Sequence, residues 1–447
     1  MYRARSRLAS VSLLCISTLL VSLSIPAGTA AAATRTVSNC NDSGAGSLRN
    51  AIAGALSGDT IDLSRLSCSR ITLTGGEIAI PQESLELVGR SRTAMTIDGN
   101  RNGRVFDHTG TGTLRIRHLS IANGRTASNI PEGGCIQSRG DLELIRSRVH
   151  HCTAIYTGSL DPRAAGGGVF AWRDVLVSYS AVFSNSVPVG TGGGIGAGRR
   201  AVVYRSQVYG NSSGSGGGGI WAESAQVVYS LIHGNTGSFG GGIHVRGSIA
   251  PEEPTMLEIN KSTLSANSAF FSGGGLYAGG YTVVVIFDSS IMDNSSNAFP
   301  AAVISYRARI YNSTIAYNRS ETSSQCYAAL NAVNNMWLES TIVSGNTCNL
   351  GDDRDIWGLV QFVPRVDGSH NIIGRSSIPV PPDTIAATDP RLAPLAENGG
   401  PTRTRMPLAD SPALERGSNP LNRAYDQRGP GFPRVRGAFP DIGAVER

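Results

Sequence analysis

Between residues 166 and 276 the chain writes three glycines and then an aliphatic residue five times. The instances are Gly166-Gly167-Gly168-Val169, Gly192-Gly193-Gly194-Ile195, Gly217-Gly218-Gly219-Ile220, Gly240-Gly241-Gly242-Ile243 and Gly273-Gly274-Gly275-Leu276. Each is followed by a short tag ending in asparagine, at Asn185, Asn211, Asn235, Asn267 and Asn294, and the tag recurs at Asn318 and Asn346. Successive asparagines lie 26, 24, 32, 27, 24 and 28 residues apart. A period of this size restricts the chain to a stack of similar coils, each of which buries its apolar face against its neighbours.

The residues after the glycines decide between helical and strand repeats. The first column reads Val169, Ile195, Ile220, Ile243, Leu276; the next Phe170, Gly196, Trp221, His244, Tyr277; the third Ala171, Ala197, Ala222, Val245, Ala278. Small or aliphatic columns alternate with mixed ones, which is the period of a strand with one buried face. A second strand precedes each asparagine, with inward columns Val177, Val203, Val227, Ile259, Ile286, Ile310 and, after a bend, Val182, Val208, Ile232, Leu264, Ile291, Ile315. These are the β-branched and aliphatic residues that a pleated interior prefers. So much glycine, with so little 3.6-residue periodicity, speaks against a helical solenoid. Parallel, in-register stacking at about 4.8 Å per coil places like on like, and roughly ten coils make a rod about 50 Å long.

Residues 1–33 read as a signal peptide. Arg3, Arg5 and Arg7 precede an apolar run, and Ala30-Ala31-Ala32-Ala33 offers a cleavage site. Its removal lowers the formal charge from +6 to +3, since the segment holds three arginines and no acid. That modest charge implies no nucleic-acid partner. No further hydrophobic span follows, so no membrane span is expected after cleavage. Six cysteines remain: Cys40, Cys68, Cys135, Cys152, Cys326 and Cys348. An even set in an exported chain suggests disulfides, and of the fifteen pairings open to six cysteines the expected one joins sequence neighbours, whose separations are near one coil.

Residues 34–62 read as an N-terminal cap. Ser47 begins a short amphipathic helix with Leu48, Ile52 and Ala55 or Leu56 on one face, suited to cover the open apolar end of a stack. Residues 63–375 are coils, less regular before 165, with Asn123 and Cys152 in tag positions. Ile249 to Thr255 should protrude as a loop. Residues 376–447 hold twelve of the 21 prolines and read as a C-terminal cap over the other end.

Two terminal motifs resemble a known group. The ending Asp426-Gln427-Arg428-Gly429 with Asp441-Ile442-Gly443-Ala444-Val445-Glu446 is similar to the closing motif of the choice-of-anchor Q family. The opening Asn41-Asp42-Ser43-Gly44-Ala45-Gly46-Ser47-Leu48-Arg49, with Gly58-Asp59-Thr60-Ile61, resembles its N-terminal signature. The repeats themselves resemble those of polymorphic outer-membrane proteins. The resemblance implies an exported bacterial protein with a right-handed parallel β-helix of the pectin-lyase type. It does not assign an activity, because function belongs to sites and not to folds.

Several constellations bear on chemistry. The rod fold is shared with lyases and hydrolases of acidic polysaccharides. The Asn-x-Asp, Asp-Asp and His-Gly motifs of galacturonases do not occur in order, and Arg428-Gly429-Pro430 with Arg434 misses the pectate-lyase arginine pattern by one residue. Arg246 is a candidate Brønsted base on an exposed strand. Gly351-Asp352-Asp353-Arg354-Asp355 concentrates carboxylates without calcium-loop spacing. His150-His151-Cys152 lacks a further metal ligand in register. Gly214 to Gly219 matches a dinucleotide fingerprint but leads into a strand. No catalytic residue, metal or cofactor is assigned.

The outward column is the informative surface. Phe170, Trp221, His244 and Tyr277 should project together, with Trp172 on the same face, as rings able to dock sugars. The sequence thus implies an all-β, right-handed parallel β-helix, secreted or surface-exposed and monomeric. Its expected role is non-catalytic and adhesin-like, binding polysaccharide or cell-surface glycan. The alternative is a lyase or glycoside hydrolase acting on acidic polysaccharide.

Overall fold

The computed structural model describes residues 32–158, 165–297, 303–321, 329–332, 336–349, 351, 354–358 and 365–447. The expected signal peptide up to residue 31, Cys326, Asp352 and Asp353 lie outside the described residues. Each regular coil repeats one local code. In the coil that begins at Val169, Val169–Ala171 and Val175–Ser178 enter a first sheet, Ala181–Phe183 a second and Ser186–Val187 a third. Among the described residues these sheets hold 19, 13 and 9 strands, and Val303–Ser305, Leu330–Ala332 and Ile356–Trp357 form a smaller one. Neighbouring coils pair in parallel, about eleven turns in all. Parallel crossovers within one sheet are right-handed because the strands themselves twist that way. The molecule is a right-handed parallel β-helix.

The three inward columns expected from the sequence are the core. Val169, Ile195, Ile220, Ile243 and Leu276 stand in register. So do Val177, Val203, Val227, Ile259, Ile286 and Ile310, and Val182, Val208, Ile232, Leu264, Ile291 and Ile315. All of them are fully buried. Each such side chain contributes about 1.5–3 kcal/mol of transfer free energy, so the columns need no central helix to make a core.

Two polar ladders close the corners. Asn185, Asn211, Asn235, Asn267, Asn294, Asn318 and Asn346 hydrogen-bond one to the next through their side-chain amides at 2.8–2.9 Å. The third glycine of each triplet makes room for the asparagine of its own coil: a Cβ on Gly194 would stand 2.9 Å from the Asn211 amide. The middle glycine is required by its neighbours, since a Cβ on Gly193 would meet the Gly218 carbonyl oxygen at 2.4 Å. A second ladder runs through Ser147, Ser180, Ser206, Ser230, Ser262, Ser289 and Ser313, each hydroxyl except the first accepting from the preceding serine's amide. Cys152 occupies the asparagine position one coil before Asn185, whose Oδ1 accepts from its amide. Asn123 does not. Ala122 pairs with His150, so Asn123 is level with His151 at a left-handed corner, and Gly124 takes the ladder position. There a side chain would strike Cys135, which is disulfide-bonded to Cys152.

At the N-terminal end a short helix packs on the core with Ala55 buried, while Leu56, expected as its alternative on that face, is 57% exposed. Ser47 caps the helix Leu48–Ala53, Leu48 and Ile52 are buried, and Gln82 Nε2 donates to the Ile52 and Ala55 carbonyls. Cys40 is bonded to Cys68. Cys348 is also disulfide-bonded. The 249–255 loop protrudes, with Ile249 98% exposed. Among the described residues no helix is long and apolar enough to cross a membrane.

The Pro-rich tail behaves differently from a simple end cap. Only its first residues cover the end: Ile378 and Val380 pack on the core, and Ile385–Ala386 adds a last strand to the second sheet. From Asp389 the chain folds back as a strap along the second sheet. Leu392, Ala413 and Ile442 pack on Ala316, Ile342 and Ile372. The two halves of the closing motif meet there. Asp426 Oδ2 accepts from Arg428 Nη2 at 2.6 Å and from the Glu446 amide at 2.9 Å. Gln427 accepts from Ser290 Oγ and donates to Thr263 Oγ1. The N-terminal motif is structural too: Asp42 accepts from Thr74, Gly75 and Arg49, and Asp59 from Ala33, Leu56 and Arg35.

Candidate functional site

Parallel register carries the expected aromatic column across five rungs. Phe170 pairs with Gly196, Gly196 with Trp221, Trp221 with His244, and His244 with Tyr277. The side chains do not all reach solvent. Phe170 is 6% exposed. Gly196, the next residue in the column, offers no side chain, and the Phe170 ring lies down over it, so that a Cβ there would meet the ring at 2.7 Å. Trp172 packs edge-on against Phe170 with centroids 6.3 Å apart. The outward placement expected for Phe170 is therefore corrected: it is a floor, and Trp172, 55% exposed, is the surface ring.

Trp221, His244 and Tyr277 are half-buried and contiguous. The His244 and Tyr277 rings meet edge to face at 5.0 Å. His244 Nδ1 points onto Gly216, where a Cβ would stand 2.2 Å away, and it has no hydrogen-bond partner. Burial pushes the His244 imidazole down to about 4, so it is neutral near pH 7. The sequence reading missed the rings that extend this face. Phe239 stacks on Phe271 at 5.2 Å and meets Tyr277 at 5.3 Å, and Phe270 packs against Phe271. Phe270 and Phe271 are 59% and 42% exposed. Their signal was present as Ala269-Phe270-Phe271, one residue before a glycine triplet. Together the rings form a ridge along the corner between the third and first sheets.

One carboxyl lies at the N-terminal end of this face. Glu132 is buried, accepts from Trp172 Nε1 at 2.9 Å and from Gln137 Nε2 at 3.1 Å, and burial raises its pKa above the ordinary carboxylate value. Arg246, the candidate base, is 3.7 Å from Glu223, with both side chains well exposed: a solvated ion pair. His150 and His151 share a hydrogen bond between Nδ1 atoms at 2.7 Å, and Cys152 is spent in its disulfide. Among the described residues no three metal-ligating side chains converge.

A different ring stack lies on the second sheet. His150, Phe183, Tyr209 and His233 follow one another with centroids 4.8–5.0 Å apart and nearly parallel planes. Their faces are occupied by each other, so only edges meet solvent, and the stack serves the coil-to-coil contact.

No protein-family model matches the chain, and no curated protein matches it. Among solved structures it is similar to the crystal structure of pectate lyase Pel9A, with 13% sequence identity and a TM-score of 0.46 over 93% of this chain and 98% of that one.

Proposed function

We propose that this protein is an exported, non-catalytic glycan-binding protein, adhesin-like, whose ligand face is the aromatic ridge of Trp172, Trp221, His244, Tyr277, Phe270 and Phe271. The observation that carries this reading is a row of rings, exposed at Trp172, Phe270 and Phe271 and half-buried at Trp221, His244 and Tyr277, on rigid, in-register strands. Ring faces dock the apolar faces of sugars, and indole and phenol tips bond hydroxyls. Strands hold such a face at fixed spacing, so little ordering cost accompanies binding. Disulfides support an oxidising destination. The test is a glycan array probed with the mature chain. Trp221→Ala with Tyr277→Ala should remove the glycan signal by tenfold or more, as loss of about 1.4 kcal/mol or more requires, while leaving the melting temperature close to wild type. An unchanged array would reject the ridge.

The rival is a polysaccharide-cleaving enzyme, and Glu132 favours it: a buried carboxyl of raised pKa beside an exposed tryptophan is a plausible proton donor. Release of new reducing or unsaturated ends from a uronate polymer, abolished by Glu132→Gln, would replace the first reading.

A further inference from the structure

The corner between the first and second sheets alternates cations with rings. His118, Arg146, Tyr179, Arg205 and Tyr229 occupy the same place in five successive coils, each with a left-handed backbone. Arg148 projects beside them from the second sheet, and Arg92 leans over from an earlier coil to donate to the Tyr179 carbonyl at 2.5 Å. All of these except Tyr229 line a cleft of about 520 Å³, and no lining residue is a carboxylate.

The missing counter-charge sets this place apart. Arg70, Arg115 and Arg117 on neighbouring rungs all pair with acids. Among the described residues Arg92, Arg146, Arg148 and Arg205 have no such partner. Burial and the Arg148 charge lower the pKa of Arg92, and burial with Arg117 and Arg146 lowers that of His118. Converging like charges repel, and a fold that holds them there has a field that attracts anions. The geometry is fixed in advance, since Arg146 and Arg205 lie 5.7 and 6.0 Å from the Tyr179 ring centroid. The strap stops short of the cleft, at the contact of Gly429 with Tyr229.

We propose that this cleft binds an acidic polysaccharide, uronate- or sulfate-bearing, laid along the rod with successive anionic groups on Arg146 and Arg205. Those arginines stand two rungs apart, roughly 10 Å at the strand spacing of parallel coils, close to the repeat of two linked sugar rings. Guanidinium forks suit carboxylate and sulfate. The Gln207 amide and the Tyr179 and Tyr209 hydroxyls, without hydrogen-bond partners among the described residues, are left for sugar hydroxyls. The choice of a sugar polymer rests on the glycan reading above; the capture of an anion does not.

The test titrates the mature chain with an oligogalacturonide and a sulfated oligosaccharide, beside a neutral oligosaccharide, inorganic sulfate and a short DNA duplex. The acidic oligosaccharides should bind, and more weakly as salt is raised. Arg146→Asn with Arg205→Asn should weaken them at least about tenfold, and asparagine keeps the left-handed corners folded. Arg92→Gln, outside the coil corners, should also weaken them several-fold. The Trp221→Ala, Tyr277→Ala protein should retain this binding, which separates the cleft from the ridge. Unchanged affinity in the arginine variants, inorganic sulfate bound as tightly as the oligosaccharides, or tighter binding of the duplex would each overturn the proposal.

Discussion

A single ladder amide carries several obligations at once. Asn235 Oδ1 accepts from the amide and the side chain of Asn211, at 3.0 and 2.9 Å, while its Nδ2 donates to Val208 O and Asn267 Oδ1, each at 2.9 Å. Asn235→Ala leaves a buried amide and a buried carbonyl without partners, and unmet buried groups cost about 1–3 kcal/mol each. The expected loss is roughly 3–5 kcal/mol, read as a lower melting temperature and denaturant midpoint. The ladder ends at Asp355, which accepts from the Asn346 amide and side chain and, on its other oxygen, from Arg375 N. A carboxylate accepts but cannot donate onward, so the chain of amides stops where this residue type appears. The asparagines were legible in the sequence because they recur beside glycine triplets. The serine ladder was equally legible and was passed over: Ser180, Ser206, Ser230, Ser262, Ser289 and Ser313 each stand five residues before an asparagine. What no single coil reveals is where a side chain lies down. Phe170 is covered because its neighbour in the next coil is Gly196, a cross-coil fact that alternation within one strand does not contain.

At the scale of the element, the strap is held in part by ionisable groups taken out of water. Arg434 and Glu446 are both buried, 3.5 Å apart, with Asp441 and Asp426 close by. Burial pushes the Glu446 carboxyl up from its ordinary 4.5 to about 8, against the pull of Arg434. Between these two values the folded chain holds a proton that the unfolded chain releases. Stability contributed by this group is then complete below 4.5 and falls as pH rises towards 8. Glu446→Gln keeps the shape without the titration. Melting temperatures recorded across that range should decline more steeply for wild type than for the variant; parallel curves would mean that the carboxyl is ionised in the fold. The closing motif was recognisable in the sequence, but its role was not. Its partners Thr263, Ser290 and Thr314 are 130–164 residues earlier in the chain, too distant for local pattern to connect.

Across the whole molecule, stability is distributed along one axis. Each coil is supported by its neighbours, so the rod tolerates loss of a lateral element better than a globule tolerates loss of part of its core. The expected end cap proved to be mostly a side strap, and the difference is consequential: a cap protects one rung, whereas a strap shields many. Removing residues 389–447 uncovers Ala316, Ile342 and Ile372 on the second sheet, together with Thr263, Ser290 and the buried Lys261–Asp288 pair. Contiguous apolar surface of this kind drives association. The truncated chain should keep strand-dominated circular dichroism, melt at lower temperature and sediment as oligomers at concentrations where the full chain stays monodisperse. A monomeric truncation with unchanged melting would make the strap dispensable. The arginine cleft lies beyond the edge of the strap, which reaches Tyr229, on coils that end with Tyr209. Acidic-oligosaccharide binding should therefore survive the truncation, which separates the part of the second sheet that the chain covers for its own stability from the part it leaves open.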